Sequence, residues 1–388
     1  MKIVFITRCL EYGGAERQLV LLAKGLLDRG HQPVVVVFYP GGPLQNKLVE
    51  AGVPVRPLDK SGRWDVLPFL ARLIRVLRRE RPDVIHGYLF AENLLAVLLK
   101  PFLPPTKIVW GVRNSGWDLS CYDWLFRVCF RLSCWFSKFP DAIIANSYVG
   151  REYHLSLGYP AKTMLVIPNG IDTGRFRPDS EARRRVRSEW GVGEQETLIG
   201  IVGRLAPMKD HPTFLRMAAM LLRDRKNVRF VCVGDGPLKY RARLEELADT
   251  LSLTEYIMWI GARQDIPAVY NALDLAVSSS DHGEGIANVV AEAMACGVGC
   301  VVTNVGDSAW IVGDTGKVVP AKDPLALKNA IERFLDGPKY SPALVRQRII
   351  DHLSTTQLVM NTERVLCGLL RSPVMPCKVR PPTTSTTS

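Results

Sequence analysis

Short runs of apolar residues alternate along this chain with longer segments in which apolar residues recur every three or four positions. KIVFIT at residues 2–7 is typical of the short runs, which are rich in Val and Ile and have the length of a buried strand. The segment that follows it carries Leu19, Leu22 and Leu26 at the spacing of one helix face. Regular alternation of strand and helix predicts an α/β fold built on parallel sheets.

The apolar runs form two sets, separated at residues 169–193 by a stretch rich in Gly, Pro and charged residues. The first set predicts strands within KIVFIT, PVVVVF, DVIHG, KIVWGV, DAIIAN and MLVIPN. The second set predicts strands within TLIGIVG, VRFVCVG, YIMWIG, LDLAVSS, GCVVTNV and KVVP. Each set predicts a sheet of its own. We therefore expect two Rossmann-like, doubly wound domains that face each other across a central cleft.

A chain of 388 residues is long enough to build two cores of ordinary size. We expect an N-terminal domain, a C-terminal domain, a helix that packs back on the first domain, and a disordered tail rich in Pro, Ser and Thr. The predicted bounds are 1–175, 176–352, 353–371 and 372–388. The first apolar run is β-branched and leads into glycines, which indicates a strand and not a signal peptide.

The composition is globular, with 47% apolar and 23% charged residues. A net charge of +12 favours anionic partners such as nucleic acid, acidic lipid or a phosphorylated ligand, unless the arginines simply lie on solvated helix faces. The signatures of RRM, KH and zinc-finger modules are missing, so we do not expect nucleic acid.

Nine scattered cysteines without a CxxC pair predict a reducing compartment and no zinc site. No apolar run reaches the roughly 18 residues of a membrane span. We therefore expect a cytoplasmic protein, with peripheral binding to the inner face of the plasma membrane as a further possibility.

Two glycine-containing turns follow predicted strands. Gly13 and Gly14 allow close approach of a ligand to the first amides of the next helix, although a plain strand-to-helix turn has the same residues. VGRLAPMKDH follows the first strand of the second set and carries Arg204 and Lys209, while Pro207 keeps this loop from continuing as helix. Two cations at the end of a strand suit a diphosphate; the alternative is a surface pair. The later GDGP turn suits either a loop beside a ligand or an ordinary turn.

HGEGIANVVAEAMACG carries two carboxylates in an otherwise apolar run, Glu284 and Glu292. We expect a helix from about Ile286, which places Glu292 about 9 Å further along the chain, close to the distance from the sugar to the ribose of a nucleotide sugar. We expect the first amides of the helix to bind the diphosphate, and Glu292 to accept hydrogen bonds from the ribose hydroxyls. The alternative is a pair of acids with no ligand. The amides in question belong to Gly285, Ile286, Ala287 and Asn288.

In their joint order these motifs resemble those of glycosyltransferase family 4, a retaining group with the two-domain GT-B architecture. The resemblance covers most of residues 1–371 and rests on GGAER, ANS, VIPNGID, VGRLAPMKDH, GDGP, HGEGIANVVAEAMACG and VVTNVGDSAWIVGD. It implies a hexosyltransferase that uses a nucleotide-sugar donor, with UDP as the expected nucleotide. The implied acceptor is a glycan or a lipid-linked intermediate of cell-surface polysaccharide synthesis, as in lipopolysaccharide or exopolysaccharide.

The resemblance also implies residue roles. Arg204 and Lys209 would neutralise the donor diphosphate, Glu292 would bind the ribose, and Glu284 would lie at the donor sugar. The family needs no metal or other cofactor, and the chain has no Asp-x-Asp motif. The implied mechanism is front-face substitution, in which the leaving phosphate oxygen takes the acceptor's proton. The two glutamates would then position the donor and would not be the acid and base of a glycosidase.

Three positions depart from the family pattern. Many relatives carry a His after the strand KIVWGV, whereas this chain has Arg113 there. Arg113 could contact either the donor or the acceptor. His86 ends another strand and is either a substrate contact or a structural histidine. Gly299 and Cys300 stand where relatives have a small residue and Pro, which we interpret as tolerated variation.

Two segments of the first half mix aromatic or aliphatic residues with arginines, as helices at a membrane interface do. The first has Arg72, Arg75 and Arg79 on one face and the set Leu67, Leu70, Ile74 and Leu77 on another. The second interleaves Trp124, Phe126, Phe130, Trp135 and Phe136 with Arg127, Arg131 and Lys138. Ordinary sheet-covering helices show the same mixture. The hypothesis is a lipid-linked acceptor at the cytoplasmic leaflet.

Two other function classes fit the same fold. One is a catalytically silent sugar-nucleotide sensor, which has little reason to keep Arg204, Lys209, Glu284 and Glu292 together. The other is a sugar-nucleotide epimerase, which needs an acid and a base at the donor sugar's carbon, and for which His86 is the single ambiguous candidate.

Overall fold

The computed structural model describes residues 1–62, 64–116, 124–337 and 341–371. Two parallel sheets of seven and six strands organise these residues, and helices connect the strands. The predicted fold class is therefore confirmed: each set of apolar runs forms a sheet of its own. The predicted disordered tail lies outside the described residues.

The first sheet has the strand order β3-β2-β1-β4-β5-β6-β7. Its strands are β1 (Lys2–Thr7), β2 (Gln32–Val37), β3 (Val55–Pro57), β4 (Val84–Gly87), β5 (Lys107–Val112), β6 (Ala142–Ala145) and β7 (Met164–Val166). The sequence prediction missed β3. This strand lies at the edge, is three residues long and contains Arg and Pro, so it lacks the apolar run that marks a buried strand.

The second sheet has the order β10-β9-β8-β11-β12-β13. Its strands are β8 (Thr197–Val202), β9 (Val228–Val233), β10 (Ile257–Gly261), β11 (Leu275–Ser278), β12 (Gly299–Thr303) and β13 (Lys317–Val319). Strand order reverses between β1 and β4 in one sheet and between β8 and β11 in the other. Ligands of such sheets bind beyond the carboxyl ends of the strands at these reversals. The turns that follow β1, β8 and β11 carry the predicted site residues.

The helices described in the first half are α1 (Gly14–Asp28), α2 (Pro43–Glu50), α3 (Leu67–Glu80), α4 (Phe90–Leu99), α5 (Trp124–Phe136) and α6 (Tyr148–Ser156). The others are α7 (Ser180–Glu189), α8 (His211–Asp224), α9 (Leu238–Thr250), α10 (Ile266–Ala272), α11 (Asn288–Ala295), α12 (Ser308–Val312), α13 (Pro324–Asp336), α14 (Pro342–Leu353) and α15 (Thr355–Arg371). Leu19, Leu22 and Leu26 of α1 are fully buried, as their spacing predicts.

The chain crosses between the two halves twice, side by side. Ile171 pairs with Ser354 in an isolated parallel bridge, and the amide of Thr355 donates to the carbonyl of Ile171 at 2.9 Å. The last helix, α15, then packs against α1. Val359 of α15 fits against Gly25 so closely that a Cβ at Gly25 would lie 2.3 Å from its methyl carbon. The C-terminal helix thus contributes to the core of the first half.

The sequence predicted only part of the buried face of α3 correctly. Its buried apolar residues are Phe69, Leu73 and Leu77, whereas Leu67 is 79% exposed. Arg72 donates to the carbonyl of Leu58 at 2.7 Å and pairs with a nearby aspartate, so it serves the protein's own structure. Helix α3 is a sheet-covering helix, because the buried stripe follows the i, i+4, i+8 positions set by Phe69.

Candidate functional site

The loop between β11 and α11 carries the two glutamates. Helix α11 begins at Asn288, so the predicted start near Ile286 is two residues early. Glu292 therefore lies little more than one turn into the helix, a rise of about 6 Å instead of the predicted 9 Å. Ile286 and Ala287 are buried in the core of the second half, which leaves only their backbone available to a ligand.

Glu284 is nearly buried and is paired. Its carboxylate forms an ion pair with Lys209 and accepts a hydrogen bond from Ser280 Oγ at 2.9 Å. Lys209 ends a short 3-10 turn, Pro207–Lys209, so Pro207 starts a helical turn instead of preventing one. Ser279 Oγ donates to the carbonyl oxygen of Lys209 at 2.9 Å and so ties the two loops together. The structure thus brings two predicted residues into direct contact.

Arg204 lies exposed in the turn after β8. The GDGP turn supports it from behind: the amide of Leu205 donates to the carbonyl of Asp235 at 2.9 Å, and a Cβ at Gly234 would lie 1.9 Å from the carbonyl oxygen of Gly203. Gly234 is needed for this contact, and its φ of 143° also favours glycine. The GDGP turn therefore has a structural role in holding the loop of Arg204.

Glu292 is half-buried and accepts a hydrogen bond from the hydroxyl of Tyr270 at 3.2 Å. Burial raises the pKa of Glu292 to about 7, although the Tyr270 hydrogen bond and the charges of Arg17 and Arg175 oppose this rise. The sequence prediction missed these three partners. Arg17 stands in the first turn of α1 and could have been noticed there, whereas Tyr270 carries no local signal because its core position arises from tertiary packing.

The two glycines at the start of α1 have different neighbours: Gly13 lies against a side chain of α1, and Gly14 faces the second half. The carboxylate of Glu16 folds back so far that a Cβ at Gly13 would lie 1.9 Å from its Oε2. A Cβ at Gly14 would lie 4.0 Å from Nδ2 of Asn288. The structure thus brings Gly14 and Asn288 together and fills the space beside Gly13 with a carboxylate.

The loop of Glu284 is held by the first half as well as by its own sheet. Ser115 Oγ donates to the carbonyl oxygen of Glu284 at 2.7 Å, and Asn169 Nδ2 donates to Asn288 Oδ1 at 3.1 Å. The amide of Asn288 donates to the carbonyl of Ile286 at 3.0 Å. This amide is therefore already used within the turn.

Asp307, a residue that the sequence prediction did not single out, joins the two halves. Its carboxylate accepts from the amides of Tyr148 at 2.7 Å and Val149 at 3.0 Å, at the start of α6. Its own amide donates to the carbonyl of Gly285 at 2.8 Å. Burial raises the pKa of Asp307, and the two amide hydrogen bonds oppose that rise. One residue thus couples the first sheet's helix α6 to the loop of Glu284.

Arg113 and His86 lie at the carboxyl ends of β5 and β4. His86 is fully buried, and burial together with the charge of Arg113 lowers its pKa to about 3. It is therefore neutral at physiological pH. The guanidinium of Arg113 lies over the ring of Tyr88, 4.2 Å from the ring centroid.

Comparison with known proteins identifies the chain from both of its halves. Residues 12–175 match Glycosyltransferase Family 4, and residues 196–337 match Glycosyl transferases group 1. The chain belongs to glycosyltransferase family 4. Together the two matches include the turns that carry Gly13, Arg204, Lys209 and both glutamates.

Two relatives of this glycosyltransferase carry names that refer to phosphatidylinositol. A GDP-mannose-dependent alpha-(1-6)-phosphatidylinositol monomannoside mannosyltransferase of Mycolicibacterium smegmatis is 30% identical over 214 residues, 53% of this chain and 55% of that protein. The alignment thus spans about half the length of that relative. A component of the phosphatidylinositol N-acetylglucosaminyltransferase of Arabidopsis thaliana is 26% identical over 91% of this chain and 78% of its own length.

Solved structures show the same fold at low sequence identity. Anabaena HepE in complex with UDP superposes with a TM-score of 0.82, at 21% identity, over 95% of this chain and 100% of HepE. WaaG, a glycosyltransferase involved in lipopolysaccharide biosynthesis, has a TM-score of 0.67 at 18% identity, over 94% of this chain and 100% of WaaG. The two sheets therefore form a GT-B fold.

Proposed function

We propose that this glycosyltransferase moves a hexose from a nucleotide-sugar donor, with UDP as the preferred nucleotide, to a glycan or lipid-linked acceptor of cell-surface polysaccharide synthesis. The observation that carries the proposal is the position of Lys209, Glu284 and Glu292 at one end of the second sheet, opposite the Gly14 turn of the first. HepE was solved with UDP, and the mycobacterial relative is GDP-mannose-dependent, so both nucleotides belong in the test.

The donor would lie along the loop of residues 284–288. Glu292 accepts hydrogen bonds from the ribose hydroxyls, while the exposed Arg204 approaches the diphosphate. Lys209 shares its charge between Glu284 and the diphosphate. Since an arginine fork and an ammonium group supply the positive charge, the reaction proceeds without a metal ion.

The reaction retains the configuration at the anomeric carbon. The bond between this carbon and the phosphate oxygen breaks, and the acceptor hydroxyl oxygen bonds to the carbon on the same face. The departing phosphate oxygen takes the proton of the acceptor hydroxyl, so no protein carboxylate needs to act as nucleophile. Lys209 and Arg204 stabilise the negative charge that develops on the leaving diphosphate.

Titration calorimetry with UDP, GDP and ADP in metal-free buffer tests the donor site. We expect one nucleotide to bind, and Glu292→Ala and Arg204→Ala each to weaken it by about tenfold or more, the effect of losing one hydrogen bond to a charged group. Arg223→Ala is the matched control, since Arg223 is an exposed arginine at the far end of α8. Absence of binding by folded wild-type protein would contradict the proposal, and turnover of the labelled nucleotide sugar separates an enzyme from a silent sensor.

We also propose that the acceptor is lipid-linked and that α5 contacts an anionic membrane surface. No helix among the described residues is long and apolar enough to cross a membrane. The outer face of α5 and the residues after it carry exposed apolar side chains at helical spacing: Trp124, Val128, Leu132, Trp135 and Phe139. Arg131 and Lys138 are exposed beside them, and Phe102, which follows α4, is exposed as well. Aromatic residues flanked by cations suit an interface with acidic lipid.

Flotation with liposomes tests this surface. Wild type is expected to float with vesicles that contain anionic phosphatidylglycerol and to float less with pure phosphatidylcholine. Trp135→Glu should abolish flotation, because it places a charge in the centre of the apolar face. Leu238→Glu is the control, since Leu238 is 83% exposed in the second half and away from α5. Failure of wild type to float with either lipid would contradict the membrane proposal and leave the donor proposal intact.

A further inference from the structure

The carboxyl edge of the first sheet contains a group of buried polar atoms without partners. Both ring nitrogens of His86, the hydroxyl of Tyr88, and Nε and Nη1 of Arg113 make no hydrogen bond among the described residues. Buried polar atoms in folded proteins are nearly always hydrogen-bonded, to protein or to something bound. Three such side chains within one cluster indicate that a ligand completes it.

The guanidinium of Arg113 is held in place by an aromatic ring. Its carbon lies 4.2 Å from the ring centroid of Tyr88, and this ring packs edge-on against Phe5 with centroids 6.4 Å apart. Both Tyr88 and Phe5 are fully buried. A fork of donors on a rigid support loses little entropy when it binds a planar or tetrahedral oxyanion.

The charge of Glu16 reaches Tyr88, and no carboxylate among the described residues forms an ion pair with Arg113. Glu16 folds against Gly13, and Glu92 is a buried carboxyl whose pKa burial raises to about 7. Burial keeps His86 neutral, so the histidine adds no competing positive charge at pH 7. A half-buried arginine whose Nε and Nη1 have no acceptor among the described residues is costly, which favours an anion from outside the chain.

The cluster lies beside the donor loop. Arg113 precedes Ser115 by two residues, at most about 7 Å of backbone. Ser115 Oγ donates to the carbonyl oxygen of Glu284 at 2.7 Å. An anion on Arg113 would therefore lie on the first-sheet side of the cleft, opposite the cations Arg204 and Lys209 of the second sheet.

We propose that Arg113 binds a phosphate group of a ligand in the cleft, which is either the phosphate of a lipid-linked acceptor or the diphosphate of the donor. This inference rests on the proposed function, because it needs a phosphate-bearing ligand between the two sheets. It assigns to the first half an anion site built from Arg113 and oriented by Tyr88. Fork-shaped binding of phosphate oxygens is the chemistry for which arginine is suited.

Titration calorimetry with three probes tests the site: UDP or GDP, whichever wild type binds, then geranyl diphosphate as a short lipid diphosphate, and inorganic diphosphate. Arg113→Gln should weaken at least one phosphate probe by about 10- to 100-fold, the loss expected for a charged hydrogen-bonded contact. Arg113→Lys should recover part of that loss, since it keeps the charge but not the fork. Arg79→Gln is the matched control, because Arg79 is an exposed arginine in the last turn of α3, before the amino end of β4. We expect its effect to stay below about twofold.

The outcomes distinguish the acceptor phosphate from the donor diphosphate, and they distinguish failure of this inference from failure of the proposed function. Loss confined to geranyl diphosphate assigns the site to the acceptor, and loss confined to the nucleotide assigns it to the donor. Unchanged affinities in both Arg113 variants, with wild type binding the probes, overturn this inference and leave the proposed function standing. Equal losses in Arg113→Gln and Arg79→Gln also overturn it, because the effect is then long-range charge. A wild type that binds no phosphate probe overturns the proposed function together with this site. Thermal melts of each variant check that it is folded.

Discussion

Tyr88 and Tyr270 are equally buried, each 1% exposed, yet their hydroxyl groups have different surroundings. In the second half, the hydroxyl of Tyr270 donates to Glu292. In the first half, the hydroxyl of Tyr88 has no partner within the described part of the chain. The same contrast extends to the charged groups, since Lys209 is paired with Glu284 while two nitrogens of Arg113 bond to none of the residues that the structure describes.

If the proposed function holds, this difference means that the two halves meet their ligands in different ways. In the second half, the Lys209–Glu284 and Tyr270–Glu292 pairs are already formed, so the proposed donor would bind with little reorganisation of these groups. In the first half, atoms of His86, Tyr88 and Arg113 have no partner among the described residues, and under our proposal a ligand would supply those partners. We therefore expect substitutions in the second half to cost folding stability, and substitutions in the cluster of the first half to cost ligand affinity.

The largest expected effect comes from breaking the Lys209–Glu284 pair. Lys209→Met leaves a nearly buried carboxylate without its cation, which should lower the free energy of unfolding by about 3 kcal/mol and abolish turnover. The double variant Lys209→Met with Glu284→Gln should recover most of the stability but none of the activity. Chemical denaturation and donor turnover measure the two quantities. A single variant as stable as wild type would show that the second half is not held by this pair.

Glu292→Gln gives the next largest effect, and its size depends on pH. The folded-state pKa of Glu292 is about 7, above its ordinary value of 4.5, so the stability contributed by the protonated group is present below pH 4.5 and is lost as pH rises through 7. Glutamine mimics the protonated form. The variant should be more stable than wild type by about 1 kcal/mol at pH 5 and by about 3 kcal/mol at pH 8.

The same substitution should weaken nucleotide binding, because the ribose hydroxyls lose a charged acceptor. We expect about tenfold weaker binding of the preferred nucleotide at pH 8 and a smaller difference at pH 6, where Glu292 is largely protonated in wild type. Thermal melts and calorimetry over pH 5 to 8 measure both trends. A stability difference that does not change with pH would mean that the Tyr270 hydrogen bond and the charges of Arg17 and Arg175 keep the carboxylate ionised.

Asp307→Ala tests the connection between the halves. It removes the acceptor of two amides at the start of α6 and should cost about 1 to 2 kcal/mol, as the loss of a helix cap does. Asp179→Ala is the control, because Asp179 caps α7 within the second half. Only the Asp307 variant should separate the unfolding of the two halves into two transitions. A single transition in both variants would show that other contacts hold the halves together.

The smallest expected effect distinguishes the two tyrosines directly. Tyr270→Phe removes a hydrogen bond to Glu292 and should cost about 1 kcal/mol, whereas Tyr88→Phe removes an unpartnered hydroxyl and should change the free energy of unfolding by less than about 0.5 kcal/mol. Denaturant titration at pH 7 measures the two variants side by side. An equal loss in both would mean that the hydroxyl of Tyr88 has a partner, and the contrast between the halves would fail.

The sequence was sufficient for the fold, and it predicted a site whose function stays a proposal. Parallel strands buried on both faces are continuous apolar runs, and such runs are visible without a structure, as in β1 and β8. The edge strand β3 was missed because an exposed edge needs no such run. The helix of Glu292 was placed two residues early, since the residues before Asn288 are apolar for reasons of core packing and not of helix periodicity.

What the sequence determined by itself was therefore local: which residues form strands, which glycines and cations follow them, and which motifs indicate a glycosyltransferase of family 4. Tertiary structure alone decided the partners. The pairing of Lys209 with Glu284, the contact of Tyr270 with Glu292 and the bridge from Asp307 to α6 all join residues far apart in the chain. No local pattern records such contacts, because burial and the pKa of Glu292 depend on which distant side chains the two sheets bring together.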